Sequence, residues 1–270
     1  MRVLERFALD GRKAVVTGAS RGLGKAFATA LAQAGADVAV VARTESDITA
    51  AASGIATATG RKIVPITADV TQRADTERMI AEADTALGGV DILVNNAGGA
   101  SSVGWFETTG EEWTDSYRQN TLPAVALAQA FVPGMRERGW GRCIQISSRN
   151  AISAYAEFGP YGAAKAALNN LTLSLSKALA GTGVTSNGIM PGLIYTPLVE
   201  DWFKTLARQQ GSYDPAVGRD FAIKNVLRQT VGRIGEAKDI AFAVCMIASP
   251  LNDFMTGTTF RVDGGATPTI

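Results

Sequence analysis

Hydrophobic and polar positions follow one repeating pattern along most of the chain. Short runs of β-branched residues alternate with longer alanine-rich segments, as expected of strand–helix–strand units. The short runs predict strands at 13–17, 37–42, 62–68, 90–94, 141–147, 183–190 and 257–262. The segments between them predict helices near 22–35, 45–59, 71–88, 111–138, 160–180 and 236–249.

Several predicted strands are apolar at almost every position instead of at every second one. Residues 37–42, for example, are DVAVVA. Strands covered by helices on both faces have this composition, and right-handed crossovers then give a doubly wound parallel sheet. No linker rich in proline, serine or charge divides the chain. We therefore expect an α/β protein with one domain over residues 1–270 and a seven-stranded parallel sheet.

Residues 193–232 interrupt the alternation of helices and strands. This insertion carries Trp202, Phe203, Tyr213 and Phe221 among its aromatic residues. A long insertion before the last strand is either a lid over a substrate pocket or a set of extra helices on the edge of the sheet. The sequence favours neither alternative.

Composition excludes several classes of function. The chain has 26 Lys and Arg against 25 Asp and Glu, so no net charge attracts it to nucleic acid or to a membrane surface. The N-terminus lacks the apolar core of a signal peptide, and the apolar runs are too short to cross a bilayer. The two cysteines suit core positions rather than a disulfide framework. We expect a cytoplasmic protein.

The chain contains no histidine. An acid or base that works near neutral pH must then be a carboxylate, a thiol, or a tyrosine or lysine with a shifted pKa. With two cysteines and no histidine, the chain also lacks the usual ligands of a zinc-dependent alcohol dehydrogenase. We expect no metal site.

A glycine-rich turn follows the first predicted strand and precedes the first predicted helix. Its glycines are Gly18, Gly22 and Gly24 in the sequence TGASRGLG. Glycines allow the backbone to turn sharply and to approach a pyrophosphate, which the free N–H groups at a helix N-terminus attract. A turn of this kind also serves close packing of a strand and a helix. In its place within a series of strand–helix units, it predicts a dinucleotide site.

Two arginines indicate which dinucleotide binds. The second predicted strand ends in Ala42, where NAD-binding proteins carry an acid that bonds the ribose 2′-OH, and Arg43 follows. Arg21 lies within the glycine turn. Two guanidinium groups suit a 2′-phosphate, so the sequence favours NADP(H) over NAD. The alternative is that both arginines are solvated surface residues.

Candidate acid–base residues lie near and within the helix predicted at 160–180. Tyr161 and Lys165 are four residues apart, which places them on one face of a helix. A lysine ammonium near a phenol favours the phenolate, so we expect a lowered tyrosine pKa. Ser148, after the fifth predicted strand, is placed to stabilise an oxyanion. Each of these features is common by itself. Their order along the chain after the glycine turn favours a catalytic role.

Further motifs occur in order along the chain. They are TGASRGLG at 17–24, Asp69 with Val70, NNAG at 95–98, Asn120, Ser148, YGAAK at 161–165, PGLIYT at 191–196 and the ending GRIGEAKDIA…TGTTFRVDGG. From about residue 9 to 265, the sequence resembles the short-chain dehydrogenase/reductase family in its compact single-domain branch. The resemblance implies a single-domain Rossmann fold and oxidoreduction of carbonyl and alcohol groups.

The resemblance also implies roles for individual residues. Tyr161 would be the general acid/base, Lys165 its activator and a ligand of the nicotinamide ribose, and Asn120 part of a proton relay through water. Ser148 rather than Ser147 would be the active serine, since it lies thirteen positions before the tyrosine. The implied cofactor-binding residues are Gly18, Ser20, Arg21, Gly22, Leu23, Gly24, Arg43, Asp69, Val70, Asn96, Ala97, Gly98, Tyr161, Lys165, Pro191, Gly192, Ile194 and Thr196.

Two positions indicate which activities of the family the resemblance does not imply. Thr185 stands where a basic residue is common, so the resemblance does not imply reduction of acyl-carrier-protein substrates. Phe158 stands where enoyl reductases have their tyrosine. The main hypothesis is an NADPH-dependent carbonyl reductase, reversible as an alcohol dehydrogenase. The alternative is an NADP-binding sensor or scaffold without turnover. An epimerase or dehydratase of the extended branch would need a longer chain.

The sequence does not identify the carbonyl or alcohol substrate, which we expect to be a small molecule. Candidate pocket walls are Trp105, Tyr155, Phe158, Trp202 and Phe203, and each of them suits a core or a subunit interface equally well. The family resemblance implies a homo-oligomer, a tetramer or a dimer, built across 111–138, 160–180 and the C-terminal unit.

Overall fold

Seven parallel strands form a single sheet within the residues that the computed structural model describes, 6–102 and 104–268. The strands are β1 (Lys13–Thr17), β2 (Asp37–Ala42), β3 (Ile63–Thr67), β4 (Ile92–Asn95), β5 (Gly141–Ile146), β6 (Val184–Pro191) and β7 (Thr259–Val262). Their order across the sheet is β3-β2-β1-β4-β5-β6-β7. The strand order therefore reverses between β1 and β4, the point at which open α/β sheets bind ligands.

Helices connect the strands and cover both faces of the sheet. They are α1 (Gly22–Gln33), α2 (Glu45–Thr59), α3 (Arg73–Leu87), α4 (Gly110–Asn120), α5 (Leu122–Glu137), α6 (Gly159–Ala178), α7 (Pro197–Gln209), α8 (Pro215–Phe221) and α9 (Ala237–Ala248). The predicted doubly wound α/β fold is confirmed. Within the described range, no helix has the length and the apolar character that crossing a membrane requires.

Adjacent residues of the central strands face two different cores. Val16 of β1 packs in the cluster that contains Phe27 of α1 and Val244 of α9. Val15 packs on the opposite face, in the cluster that contains Phe131 of α5. This alternation between two apolar layers explains why nearly every position of these strands is apolar.

The helix predicted over 111–138 is wrong in one respect, because the structure has two helices there. Thr121 separates α4 from α5 with φ −126° and ψ −51°. Pro123 in the first turn of α5 has no N–H to donate, so a continuous helix would lack the hydrogen bond from residue 123 to the Gln119 carbonyl oxygen. The Thr121 hydroxyl donates to the Ala164 carbonyl oxygen of α6 at 2.9 Å. The break places Asn120 at a helix end, near the catalytic side of the sheet.

The insertion at 193–232 folds around a small core of its own. Phe203, Leu206 and Ile223 pack there with Ala222, Leu227 and Ile234. A side chain at Gly218 of α8 would overlap the carbonyl oxygen of Phe203, so α7 and α8 cross closely at this glycine. Extra helices are therefore present, and the function of the insertion as a lid stays a prediction.

Candidate active site

A cleft of about 370 Å³ lies at the carboxyl edge of the sheet, where the strand order reverses. It brings together eight of the predicted cofactor residues: Gly18, Ser20, Arg21, Arg43, Asp69, Val70, Ala97 and Gly98. Thr44, Asp47, Thr71 and Gln119 also line it and were not foreseen from the sequence. The cleft thus runs from the glycine turn past the ends of β2 and β3 to the loop after β4.

The glycine turn fits a pyrophosphate. Gly18 has φ +66°, a left-handed conformation that favours glycine. At Gly24 a side chain would overlap the Gly18 carbonyl oxygen, so only glycine lets α1 begin this close to β1. No side chain caps α1 and its first turn has no acidic residue, so its N-terminal N–H groups remain available to an anion. Leu23 anchors the turn by packing against the core.

A threonine ties the turn to the loop after β4. The Thr17 hydroxyl accepts hydrogen bonds from the Asn96 and Ala97 backbone N–H groups at 3.1 and 3.0 Å. The Asn96 side chain in turn donates to the Thr17 and Gly18 carbonyl oxygens at 2.9 and 3.2 Å. Sequence reasoning missed the role of Thr17, although a threonine that ends an apolar strand was a visible signal.

Positive charge lines one end of the cleft. Arg21 and Arg43 are exposed, and neither takes part in an ion pair within the described residues. Thr44 precedes α2 without capping it, so its hydroxyl is free to face a ligand. Asp47 also lines this end, from the first turn of α2. The guanidinium groups of Arg21 and Arg43 suit a phosphate here. The carboxylate of Asp47 at the same end was not predicted from the sequence.

Asp69 lies at the end of β3 and shapes the neighbouring wall. Its carboxylate accepts hydrogen bonds from the Thr71 N–H at 3.0 Å and from the Thr71 hydroxyl at 2.8 Å. Its own N–H donates to the Asp75 carboxylate at 2.8 Å. These hydrogen bonds hold the backbone after β3 in a turn, and Val70 of this turn lines the cleft.

Ser148 and Tyr161 meet beyond β5. The two hydroxyl groups are hydrogen-bonded, Ser148 from the segment after β5 and Tyr161 from the first turn of α6. The other serine, Ser147, is buried and donates to the Lys165 carbonyl oxygen at 3.1 Å. Of the two serines, Ser148 is therefore the one whose hydroxyl contacts Tyr161, and its catalytic role stays a prediction.

Lys165 is buried one turn further along α6, with 4% of its surface exposed. Its Nζ donates to the Ile146 carbonyl oxygen at 2.8 Å and lies 5.8 Å from the centre of the Tyr161 ring. Burial lowers the pKa of Lys165 from 10.5 to about 8. The ammonium therefore stays mostly protonated at neutral pH, but folding has removed it from water.

The expected direction of the Tyr161 pKa shift is wrong. Burial raises the pKa of Tyr161 above 10, and the hydrogen bond with Ser148 only partly offsets this effect. The lysine that was expected to favour the phenolate is itself desolvated, and it is not among the causes of the Tyr161 pKa shift. At neutral pH Tyr161 is thus a phenol with a proton to give.

Asn120 lies behind the wall of the cleft, close to Lys165. Its amide donates to the Gly99 and Ser116 carbonyl oxygens at 2.9 and 3.0 Å and accepts from the Gly99 N–H at 3.1 Å. A side chain at Gly98 would come within 2.5 Å of the Asn120 oxygen and 3.4 Å of the Lys165 Nζ. Gly98 also lines the cleft, so Asn120 and Lys165 lie directly behind its wall.

Four further predicted cofactor residues lie at the end of β6 or after it. Pro191 ends that strand, and the Gly192 N–H donates to the Val262 carbonyl oxygen at 2.9 Å. Gly192 and Ile194 line a separate cavity of about 240 Å³, while Thr196 caps α7 by accepting from the Val199 N–H at 3.3 Å. None of the four lines the 370 Å³ cleft, although β6 is the neighbour of β5 in the sheet.

Comparison with known proteins agrees with this geometry. Residues 12–207 match the family model for short chain dehydrogenases. The chain belongs to the short-chain dehydrogenase family. It is accordingly an oxidoreductase that acts on carbonyl or alcohol groups.

Named relatives and solved structures cover almost the whole of this short-chain dehydrogenase. It is 35% identical to the 3-oxoacyl-acyl-carrier-protein reductase of Vibrio cholerae, over 95% of this chain and 98% of the relative. The crystal structure of L-sorbose reductase from Gluconobacter frateurii, complexed with NADPH and L-sorbose, superposes with a TM-score of 0.90 at 29% identity, over 98% and 100% of the two chains. A gluconate 5-dehydrogenase from Burkholderia cenocepacia, in complex with NADP and tartrate, has a TM-score of 0.87 and 32% identity, with both chains fully covered.

The predicted aromatic pocket walls of this dehydrogenase separate into two groups. Phe203 is a core residue of the insertion, 2% exposed, and half-buried Trp202 packs against it. Trp105 is half exposed and packs edge-on against Trp113 with ring centres 5.5 Å apart. Tyr155, like Phe158, is half-buried in the segment that joins the two catalytic hydroxyls. Phe203 is thus wrong as a pocket wall because its own insertion buries it.

Proposed function

We propose that the protein reduces a ketone to an alcohol with NADPH, reversibly, with Tyr161 as the general acid and base. The arrangement that carries this proposal is the hydrogen-bonded pair of Ser148 and Tyr161, with the Lys165 ammonium buried beside the tyrosine ring. Gly98 lies between Lys165 and the cleft, and a side chain at this position would come within 3.4 Å of the Lys165 Nζ.

The cleft residues fit a nicotinamide dinucleotide. The N-terminus of α1 and the glycine turn would hold the pyrophosphate, and Asp69 and Val70 would contact the adenine. The unpaired Arg21 and Arg43 favour the 2′-phosphate of NADP(H). The sorbose reductase and gluconate dehydrogenase structures carry NADPH and NADP, which supports this preference. When bound, the nicotinamide supplies the hydride of the reaction.

The catalytic side chains then handle the proton and the developing charge. Ser148 would donate a hydrogen bond to the substrate carbonyl oxygen, and Tyr161 would deliver the proton that completes the alcohol. The raised pKa of Tyr161 keeps this proton in place at neutral pH, as reduction requires. Lys165 would bind the ribose hydroxyls and stabilise the phenolate left behind, and Asn120 would pass a proton through water to replace the one that was used.

We also propose that the protein is a homo-oligomer, a dimer or a tetramer, which takes up a small molecule and binds neither nucleic acid nor membranes. Large apolar side chains lie exposed on α5, α6 and the C-terminal unit: Leu122, Leu173, Phe242 and Phe254. Of these four side chains Phe254 is the most exposed, at 98%. Light scattering after size exclusion would give the mass, and a monomer would contradict the proposal. A cytoplasmic location remains a prediction.

The reaction is tested by following nicotinamide absorbance with a panel of ketones. The panel contains β-ketoacyl thioesters, cyclic and aromatic ketones, diketones, L-sorbose and keto-sugar acids, each with NADPH and with NADH. The wild type is compared with Tyr161→Phe and with Tyr213→Phe, which alters a tyrosine that is 90% exposed. We expect NADPH to be consumed, and a loss of about 100- to 10,000-fold only in the first variant.

Other outcomes separate the alternatives. Faster consumption of NADH would show that the roles given to Arg21 and Arg43 are wrong. Binding of NADPH without consumption of any ketone would favour the sensor or scaffold.

A further inference from the structure

Asp47 is a carboxylate in the wall of the 370 Å³ cleft that no other group of the chain engages. The other acid that lines the cleft, Asp69, already accepts hydrogen bonds from the N–H and the hydroxyl of Thr71. Asp47 is exposed, and within the described part of the chain its side chain forms neither a hydrogen bond nor an ion pair. It is therefore available to a ligand that enters the cleft.

The start of α2 differs from the start of α4 in how it uses such an acid. In α4 the Glu112 carboxylate accepts from the Thr109 backbone N–H at 2.7 Å, and the Thr109 hydroxyl accepts from the Glu112 N–H at 3.2 Å. Thr44 and Asp47 have the same spacing at the start of α2, but Thr44 does not cap the helix. The residue types of a capping box are thus present without its hydrogen bonds, and both residues line the cleft instead.

The end of the cleft that contains Asp47 also contains Arg21 and Arg43. Guanidinium groups only donate hydrogen bonds, so these two suit a 2′-phosphate but give no acceptor to a ribose 2′-hydroxyl. Ala42 stands at the position where an acid would accept from that hydroxyl. Asp47, in the first turn of α2, supplies a carboxylate to the same end of the cleft.

We propose that Asp47 sets the cofactor preference, because its carboxylate accepts a hydrogen bond from the 2′-hydroxyl of NAD(H) and repels the 2′-phosphate of NADP(H). The protein then uses both cofactors and favours NADPH only moderately. A carboxylate forms short, charge-assisted hydrogen bonds with hydroxyl groups, whereas like charges brought together on binding lower the affinity. This inference rests on the proposed function, since it takes the cleft as the site of a nicotinamide dinucleotide.

The experiment measures dissociation constants from the fluorescence of the reduced nicotinamide, with no ketone present. The ligands are NADPH, NADH and an NADH analogue whose adenosine ribose lacks the 2′-hydroxyl. The proteins are the wild type, Asp47→Asn, Asp47→Ala and the control Glu45→Gln. Glu45 is a second exposed acid in the first turn of α2, but it does not line the cleft. Thermal unfolding verifies that each variant is folded.

The two cofactors should respond to the loss of the carboxylate in opposite directions. In Asp47→Ala the affinity for NADH should fall by about 10-fold or more, as expected for a hydrogen bond to a charged group. The affinity for NADPH should rise by about 2- to 5-fold because the repulsion disappears. Asp47→Asn keeps an acceptor oxygen without the charge, so its affinity for NADH should lie between those of the wild type and Asp47→Ala.

Two comparisons assign the effect to a contact with the 2′-hydroxyl. The analogue without this hydroxyl should bind to the wild type and to Asp47→Ala with equal affinity. Glu45→Gln should keep the ratio of the NADH and NADPH dissociation constants within about two-fold of the wild type, because salt screens an exposed charge outside the cleft. An unchanged ratio in both Asp47 variants would overturn the proposal. An equal change in Glu45→Gln, or an equal loss for the analogue, would overturn it too.

The same measurements separate this inference from the proposed reaction. A ratio that shifts as expected in a protein that reduces no ketone would mean that the Asp47 contact is right and the reaction is wrong. Reduction of ketones by a protein whose ratio does not depend on Asp47 would mean the reverse. If the wild type binds no dinucleotide, both are wrong.

Discussion

Burial of the Lys165 ammonium makes the stability of the protein depend on pH in a direction that can be calculated. The pKa of this lysine falls from 10.5 in an exposed chain to about 8 in the folded protein. Between these two values the unfolded chain binds more protons than the folded one, so the free energy of unfolding rises with pH. Below about pH 8 both states are protonated, and the folded protein bears the full cost of the buried charge.

The magnitude follows from the two pKa values. A shift of 10.5 to about 8 corresponds to a cost of roughly 3 kcal/mol at neutral pH. This cost decreases by roughly 1 kcal/mol between pH 7 and pH 9 and by roughly 2 to 3 kcal/mol between pH 7 and pH 10. Lys165→Met removes the titrating group and keeps an apolar side chain of similar length. The wild type should therefore gain these amounts relative to the variant as the pH rises.

The assay is urea unfolding of both proteins at equal concentration from pH 7 to pH 10, followed by circular dichroism. The difference between the two free energies of unfolding cancels the groups that both proteins share, Tyr161 among them. A difference that is flat or that moves in favour of the variant with rising pH would refute a desolvated ammonium at Lys165. The absolute sign at pH 7 is not the test, because methionine also loses the hydrogen bond to Ile146.

Three further predictions concern the cleft, the cofactor and the thiols. Gly24→Ala should destabilise the protein by about 1–3 kcal/mol, because the added methyl overlaps a backbone carbonyl, whereas Gly54→Ala, in open space on a helix, should stabilise it by up to about 1 kcal/mol. Melting temperatures test both, and a Gly24→Ala protein as stable as the wild type would contradict the predicted overlap. Arg43→Ala should raise KM for NADPH by about 10-fold or more and leave KM for NADH nearly unchanged, since only NADPH carries the 2′-phosphate. Equal changes for both cofactors would refute the assignment. Burial raises the pKa of Cys143 to about 12 and that of Cys245 to about 11, so neither thiol should react with a disulfide reagent at pH 8 until urea unfolds the chain. Rapid labelling of the native protein would contradict this.

Regular elements of the fold could be predicted from periodicity alone. The strands predicted at 13–17 and 37–42 match β1 and β2 at both ends, because short strands with an apolar centre and polar residues or glycine at their ends are a strong local signal. The helix break at Thr121 was missed, although Pro123 was visible in the sequence. A proline is compatible with the first turn of a helix, and the sequence does not say that a second helix begins there.

The positions of site residues could be predicted wherever a motif fixes the backbone. Properties that depend on the environment of a side chain, such as its pKa, were predicted less well. The glycine turn and the Ser148–Tyr161 pair lie where the motifs placed them. The pKa shift of Tyr161 was predicted in the wrong direction because burial, which spacing along a helix does not reveal, outweighs the hydrogen bond with Ser148.

The central claim is that this protein transfers a hydride to a carbonyl carbon with Tyr161 as the proton donor. It is tested most directly with NADPH that carries deuterium at both positions of C4, by mass spectrometry of the alcohol formed from the best ketone of the panel. We predict that the wild type gives an alcohol heavier by one mass unit, and that Tyr161→Phe gives almost none. Consumption of NADPH without deuterium in the product, or an unchanged rate in Tyr161→Phe, would contradict the account.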